Sequence, residues 1–551
     1  MVYPKIPLAQ SVIELCKQNG IKHIIISPGS RNAPLTIGFS QNPYFSCYSI
    51  VDERCAAFFA LGIAQQLNKP TALVCTSGSA VLNYYPAVAE AFYSQISLVI
   101  LSADRPLDKI DIGDGQTIRQ ENVLEKHTVF NANLDETASK ENDVLIQKAL
   151  QSAINLKGPA HINIPFEEPL YETLLEPSYS PFILNESVNM SSEIDVTDFS
   201  KKWNSTLKKV VLIGAQMPNQ LSQEIIESLA NDPTVSVWVE KNSNTPHATF
   251  IDALDTFITP LTENEKVNFK PDLLISIGGM LVSKRVKKYF RDFKPSEHWH
   301  IDTHRAYDTF GVLTHHIKEQ PDAFFNKMYA STSHIVSNYA LEINKRYDEL
   351  KVKREEYLAA IPYSDFMVYN AIAKCLPANS HLQSSNSAAI RYFQLVDLPY
   401  TVSVFCNRGT SGIDGSTSTA IGAAVASKNA TLLVTGDISF FYDSNGLWNN
   451  YIPNNFKIIL VNNKGGGIFR ILPGHKENDT FSTFFETQHS LEAAHLCKMY
   501  NINYDSVVNE QELNSKLQHF INFNESPSLL EIITPTTLSS KILLNFFKEI
   551  T

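Results

Sequence analysis

No apolar run in this 551-residue chain reaches the roughly 18 residues that a membrane-spanning helix needs. The opening residues, Met1-Val2-Tyr3-Pro4-Lys5, lack the basic, apolar and small-residue succession of a secretory signal, so a cytoplasmic protein with no membrane span is expected. Cysteine is sparse. The seven, at positions 16, 47, 55, 75, 375, 406 and 497, form no Cys-x-x-Cys pair, which points to reduced thiols and away from a zinc site. Basic residues are in deficit: 46 Lys and Arg against 57 Asp and Glu leave a net charge of -11. Nucleic acid is therefore not an expected partner, because a phosphate backbone demands basic surface. An anionic small molecule would need a local basic pocket instead. A convincing Gly-x-Gly-x-x-Gly and a Gly-x-Ser-x-Gly elbow are also missing, which argues against a nucleotide oxidoreductase and a serine hydrolase. There is no short-period repeat and no low-complexity tract.

What is present is the alternation of short apolar runs with helical patterns that marks doubly wound α/β units. The length allows three or four domains at about 150 residues each. Candidate strands Ile21 to Ser27, Thr71 to Cys75 and Ser97 to Ser102 belong to a first unit, residues 1–180. From Asn163 to about Ser192 the chain is rich in Pro, Glu, Ser and Tyr and reads as an extended linker. A central unit, 193–340, carries candidate strands Val210 to Gly214, Val235 to Glu240, Leu273 to Gly278 and Trp299 to Asp302. The charged stretch Asn344 to Glu356 reads as a solvated helix between units. A third unit, 355–551, completes a chain of three α/β domains with parallel sheets.

Within that third unit, Gly436-Asp437-Ile438-Ser439 follows the apolar run Thr431 to Thr435, and Val461-Asn462-Asn463-Lys464-Gly465-Gly466-Gly467 follows Lys457 to Leu460. Both segments fall where a buried parallel strand ends, the place where open α/β sheets bind ligands. Asp437, the amide oxygen of Asn463 and a backbone carbonyl near Gly465 would give magnesium three of its oxygen ligands, with diphosphate supplying others. The gap between Asp437 and Asn463 accommodates one strand-helix-strand crossover, which sets the two loops side by side. Taken alone, Gly-Asp and Asn-Asn are ordinary turn sequences. In the first unit, Val51-Asp52-Glu53-Arg54 precedes a small-residue helix from Cys55 to Gln66 and the glycine turn Thr76-Ser77-Gly78-Ser79. By itself Glu53 reads better as a helix N-terminal acid favoured by the dipole.

Together these segments resemble the thiamine-diphosphate enzymes, in the order pyrimidine-binding, central and diphosphate-binding domain over nearly the whole chain. Ser27-Pro28-Gly29-Ser30-Arg31, Asp52-Glu53-Arg54, Ala103-Asp104-Arg105-Pro106, Gly115-Gln116-Thr117-Ile118-Arg119-Gln120 and Asn407-Arg408-Gly409-Thr410-Ser411-Gly412-Ile413-Asp414-Gly415 look like the SEPHCHC synthase (MenD) family of menaquinone biosynthesis. The resemblance implies decarboxylation of 2-oxoglutarate and addition of the remaining four-carbon unit to isochorismate. It implies thiamine diphosphate with Mg2+, or Mn2+ in its place, and a homodimer or homotetramer. Glu53 then falls on the glutamate that acts at ring nitrogen N1' of the cofactor, general acid-base chemistry relayed through the cofactor. Ile413 falls on the residue that wedges the bent cofactor, and Gly436, Asp437, Ser439, Asn463 and Gly465 on its diphosphate and metal site. Ser30, Arg31, Arg105, Gln116, Lys284, Arg285, Ser387, Arg391 and Arg408 fall on substrate positions. Both substrates are dicarboxylates, for which guanidinium forks are the suited partners. Two positions depart from the pattern: Ile438 replaces the glycine of the usual Gly-Asp-Gly, and Gly115 stands where some relatives carry asparagine. Acetolactate synthase or a simple 2-oxoacid decarboxylase would share every cofactor residue, but pyruvate needs only one carboxylate anchor. A homologue without catalysis is the reading from another class, and Glu53, Asp437 and Asn463 together speak against it.

Overall fold

The computed structural model describes residues 2–184, 194–333, 335–472, 474, 476–523 and 525–551. Three sheets organise it, each with parallel strands throughout. The first is ordered Ser46–Ser49, His23–Ile26, Thr71–Cys75, Leu98–Asp104, Ala160–Pro165, Phe130–Asn133. The central sheet runs Val235–Val239, Lys209–Ile213, Leu273–Ile277, Glu297–Ile301, Leu313–Ile317. The third runs Ser403–Phe405, His381–Ser384, Thr431–Gly436, Lys457–Asn462, Ser528–Ile533, Asn503–Val507. Numbered by their place in the chain, the strands of the first and third sheets follow one order, 2-1-3-4-6-5. The middle strands are buried along their length, as continuous apolar runs with helices on both faces require. The expected three-unit doubly wound α/β architecture is met, and strand Thr71–Cys75 falls on its expected bounds.

The first and third units share one apolar core, in which Phe58, Phe59 and Ala60 of helix Glu53–Leu67 meet Ala420 and Ile421 of helix Ser416–Ala426. Both helices follow the second strand of their sheet. They cross backbone against backbone: a Cβ added at Gly62 would lie 2.0 Å from the Thr419 carbonyl oxygen, and one at Gly422 would lie 2.0 Å from that of Phe59. Only hydrogen fits at either crossing point.

Two expectations change in detail. The stretch Asn344 to Glu356 is helical, within Tyr339–Ala360, but it is not merely solvated. Tyr347, Leu350 and Arg354 form a buried stripe at turn-to-turn spacing; Tyr347 donates to Asp252 at 2.6 Å, and Arg354 pairs with Asp397. Its charge density hid that stripe. The segment read as a linker is strapped to the first unit as far as residue 184: Thr173–Leu174 pairs with Tyr3–Pro4, Gln10 accepts from Ser178 and Tyr179, and Asp143 accepts from Phe182. Residues 185–192 of that expected linker lie outside the described residues. Among the described residues no helix is long and apolar enough to cross a membrane.

Candidate active site

Strands Thr431–Gly436 and Lys457–Asn462 are hydrogen-bonded neighbours with Gly436 opposite Val461, so the loops leaving them meet at one end of the sheet. Asp437 opens helix Asp437–Tyr442 and is 3% exposed. Its Oδ1 accepts from the Ile438 N–H at 2.7 Å and its Oδ2 from the Gly465 N–H at 2.8 Å. The contact at Ile438 is made by backbone, so the departure from Gly-Asp-Gly leaves it intact. Asn463 is anchored through its amide nitrogen, which donates to Asp365 at 2.9 Å, while its Oδ1 is buried with no partner. A buried carbonyl oxygen without a donor is costly unless something electropositive meets it. No group of three His, Cys, Asp or Glu among the described residues is placed to hold a metal ion, so a cation here would draw on the Asn463 amide and a backbone carbonyl besides Asp437. The donor set fits a hard divalent cation shared with phosphate oxygens. Ser439 Oγ donates to the Ile413 carbonyl at 2.7 Å, which ties the half-buried Ile413 to the same loop cluster.

Several supports of this end went unseen in the sequence. Asp365 is fully enclosed and accepts from Asn463, Thr534 and Ser539; burial, with Asp437 nearby, pushes its carboxyl up. Glu486, held by the buried Arg470, folds its backbone over the glycine loop: its carbonyl accepts from Gly466 at 2.6 Å and lies 2.9 Å from where a Gly465 Cβ would stand. His489 then comes within 3.2 Å of Asp437 Oδ2. The one sequence signal was an isolated acid or histidine near apolar residues, which is too common to select them.

Glu53 sits at the first turn of its helix, capped by Asp52, whose Oδ1 accepts from the Cys55 N–H at 3.2 Å. It is half-buried, and Asn83 Nδ2 lies 3.5 Å from its Oε2. On either side Arg54 donates to the Tyr442 carbonyl at 2.9 Å, and Asp52 accepts from Asn445 at 2.9 Å. The turn carrying Glu53 is thus fastened to the segment that follows Asp437.

The substrate-position residues fall into two groups, and no hydrogen bond or ion pair among the described residues joins them. At the first sheet's carboxyl end, Arg31 is 4% exposed; Nη1 donates to the Phe166 carbonyl at 2.9 Å and Nη2 to Glu168 at 3.2 Å, while Nε is buried and unpaired. Arg105 Nε donates to the Gly115 carbonyl at 2.8 Å. A Cβ at Gly115 would meet nothing within 4 Å, so nothing in the structure demands glycine at that departure from the pattern. Ser30 and Gln116 are exposed. The second group lies where the central and third units meet. Arg408, 7% exposed, donates Nη1 to Asn386 at 2.7 Å and Nη2 to the Leu281 carbonyl at 3.2 Å, with Nε again buried and unpaired. Arg391 donates to the carbonyl of Ser387, a residue with φ +69°. Burial and the neighbouring Arg408 both weaken the hold of Arg391 on its proton. Arg285 donates to Thr259 at 2.8 Å and stacks 3.9 Å over Phe547. Lys284 beside it is exposed.

Comparison with known families fits this geometry. Residues 6–132 match the thiamine pyrophosphate enzyme N-terminal TPP binding domain, and residues 384–532 the corresponding C-terminal TPP binding domain. The fold and its two ligand-binding edges are those of a thiamine-pyrophosphate-dependent enzyme that forms carbon-carbon bonds. The chain is 59% identical to the 2-succinyl-5-enolpyruvyl-6-hydroxy-3-cyclohexene-1-carboxylate synthase of Flavobacterium psychrophilum and 56% to that of Flavobacterium johnsoniae, each match covering 100% of both chains. It is 46% identical to the enzyme of the same name from Christiangramia forsetii, over 99% of both. The chain belongs to this family, the SEPHCHC synthases.

Proposed function

We propose that this protein decarboxylates 2-oxoglutarate and joins the four-carbon remainder to isochorismate, in menaquinone biosynthesis. The observation that carries the substrate class is the gathering of cations at the substrate positions, with Arg31 and Arg408 buried among them, in a chain of net charge -11. A buried guanidinium suits an anionic acceptor, and a carboxylate matches its fork. Pyruvate would use one such anchor; two dicarboxylates use the set.

Asp437, Asn463 Oδ1 and the Gly465 carbonyl would hold Mg2+, or Mn2+, against the diphosphate, with Gly436 and Ser439 lining the same end. Thiamine diphosphate, when bound, supplies a nucleophilic carbon and an electron sink for loss of carbon dioxide. Glu53 would hold or move the proton at ring nitrogen N1', and Ile413 would pack against the bound group. Arg31, Arg105, Ser30 and Gln116 from one edge, and Lys284, Arg285, Ser387, Arg391 and Arg408 from the other, orient the substrate carboxylates and offset their charge. Membership of the family supports a homodimer, or a tetramer of such pairs, in which each site draws its halves from two copies. The units 1–180, 193–340 and 355–551 act as pyrimidine-binding, central and diphosphate-binding domains of a cytoplasmic enzyme.

The test is turnover with Mg2+, thiamine diphosphate and 2-oxoglutarate, following isochorismate loss by absorbance, with pyruvate as a parallel donor. Isochorismate consumption with 2-oxoglutarate alone is the expected result. Carbon dioxide release from pyruvate with isochorismate untouched would overturn the substrate assignment and leave the cofactor standing.

A further inference from the structure

Glu240 directly follows Val235–Val239, the edge strand of the central unit's sheet, and is 1% exposed, a carboxylate buried with no obvious use. Both its oxygens accept from the Val282 N–H, at 2.8 and 2.7 Å, and Oε1 also accepts from the Ser283 N–H at 2.7 Å. The carbonyl immediately before these two amides, that of Leu281, accepts from Arg408 at 3.2 Å and from Lys287 at 2.9 Å. The segment 281–283 is thus gripped on its N–H side by a carboxylate and on its carbonyl side by two cations. Ser283 in turn caps helix Lys284–Asp292, its Oγ accepting from the Val286 N–H at 3.0 Å and donating to Asp255. Lys284 and Arg285 are the first two residues of that helix, so their direction is set by the grip on 281–283. Val282 itself packs into the core of the third unit, which locks the same segment against the Arg408 loop.

We propose that Glu240 is a positioning residue for the substrate-carboxylate site: it holds 281–283 in the one register that points Lys284, Arg285 and Arg408 at a common ligand. The inference rests on the substrate reading given above. Burial pushes its carboxyl up to about 7, partly offset by the Val282 and Ser283 N–H groups and then by Arg408, so the group costs stability to keep ionised; that is consistent with retention for placement rather than for folding.

The test compares Glu240→Gln with wild type in the full, cofactor-loaded enzyme. Glutamine keeps the volume but turns one of the two acceptors into a donor facing backbone N–H groups. The expected result is a KM for at least one dicarboxylate substrate raised about tenfold, the loss of one charge-assisted bond, with kcat and thiamine diphosphate affinity near wild type. Glu240→Ala should show the larger KM change of the two; if it fails to fold, the glutamine variant alone decides. Arg408→Gln is run in parallel. An unchanged KM in Glu240→Gln beside a raised one in Arg408→Gln overturns the positioning role and leaves the substrate reading intact. Unchanged KM in both removes the substrate reading and the inference with it. A fall in thermal midpoint with no change in KM assigns Glu240 to stability and also overturns the proposal.

Discussion

The first and third sheets share a strand order and differ at their carboxyl ends. The third sheet's edge aims two backbone N–H groups at a buried aspartate and leaves the amide oxygen of Asn463 buried without a partner, an arrangement that suits a cation and a diphosphate. The first sheet's edge offers Glu53, Arg31 and Arg105, a carboxyl group and two guanidinium groups of the kinds suited to proton transfer and carboxylate binding. One topology therefore carries different chemistry at its two ends, set by the residues that follow the strands rather than by the strands themselves.

The largest test of that division is at Glu53. Glu53→Gln should lower turnover by about a thousandfold while thiamine diphosphate still binds, read by cofactor titration beside steady-state kinetics. Full activity with cofactor bound would mean that the first sheet's edge contributes no proton chemistry. Asp437→Ala should do the opposite, weakening retention of Mg2+ and diphosphate by about a hundredfold; unchanged affinity would remove the third sheet's claim to the cation. Arg31→Gln and Arg408→Gln then ask whether the two edges meet on one ligand. Each is expected to raise KM for a dicarboxylate by about tenfold, and an effect from only one of them would break the symmetry of the argument.

The seam between the sheets gives the smallest expected effect. Asp443 is buried there, accepting from the Ser418 N–H at 2.7 Å and Oγ at 2.9 Å, and burial pushes its carboxyl up to about 6. Because the folded value lies above the unfolded one, the folded state binds the extra proton, and stability falls as pH rises from about 4 to about 6, then levels. Asp443→Asn should flatten that part of the stability profile. An unaltered slope in thermal melts across the window would show that the group does not titrate with folding.

The strands and the adjacency of Asp437 and Asn463 were legible in the sequence, because buried parallel strands are apolar runs and a crossover brings consecutive loops together. Glu90 was not. It accepts from the Gly409 and Thr410 N–H groups at 2.7 and 2.6 Å, across more than 300 residues, and nothing in its helical neighbourhood announces that partner. Glu240, Asp365 and Glu486 share the difficulty: each is one acid whose partners lie elsewhere in the chain, backbone N–H groups for Glu240, side chains for Asp365 and Arg470 for Glu486. The split of the arginines was equally hidden, since motif spacing orders residues along the chain and says nothing of which sheet edge each will face.

At Gly62 and Gly422 no side chain separates the backbones of the two crossing helices. It works as a rigid pivot. A single methyl group at either glycine would act as a shim, tilting one catalytic edge against the other without touching a residue at either edge.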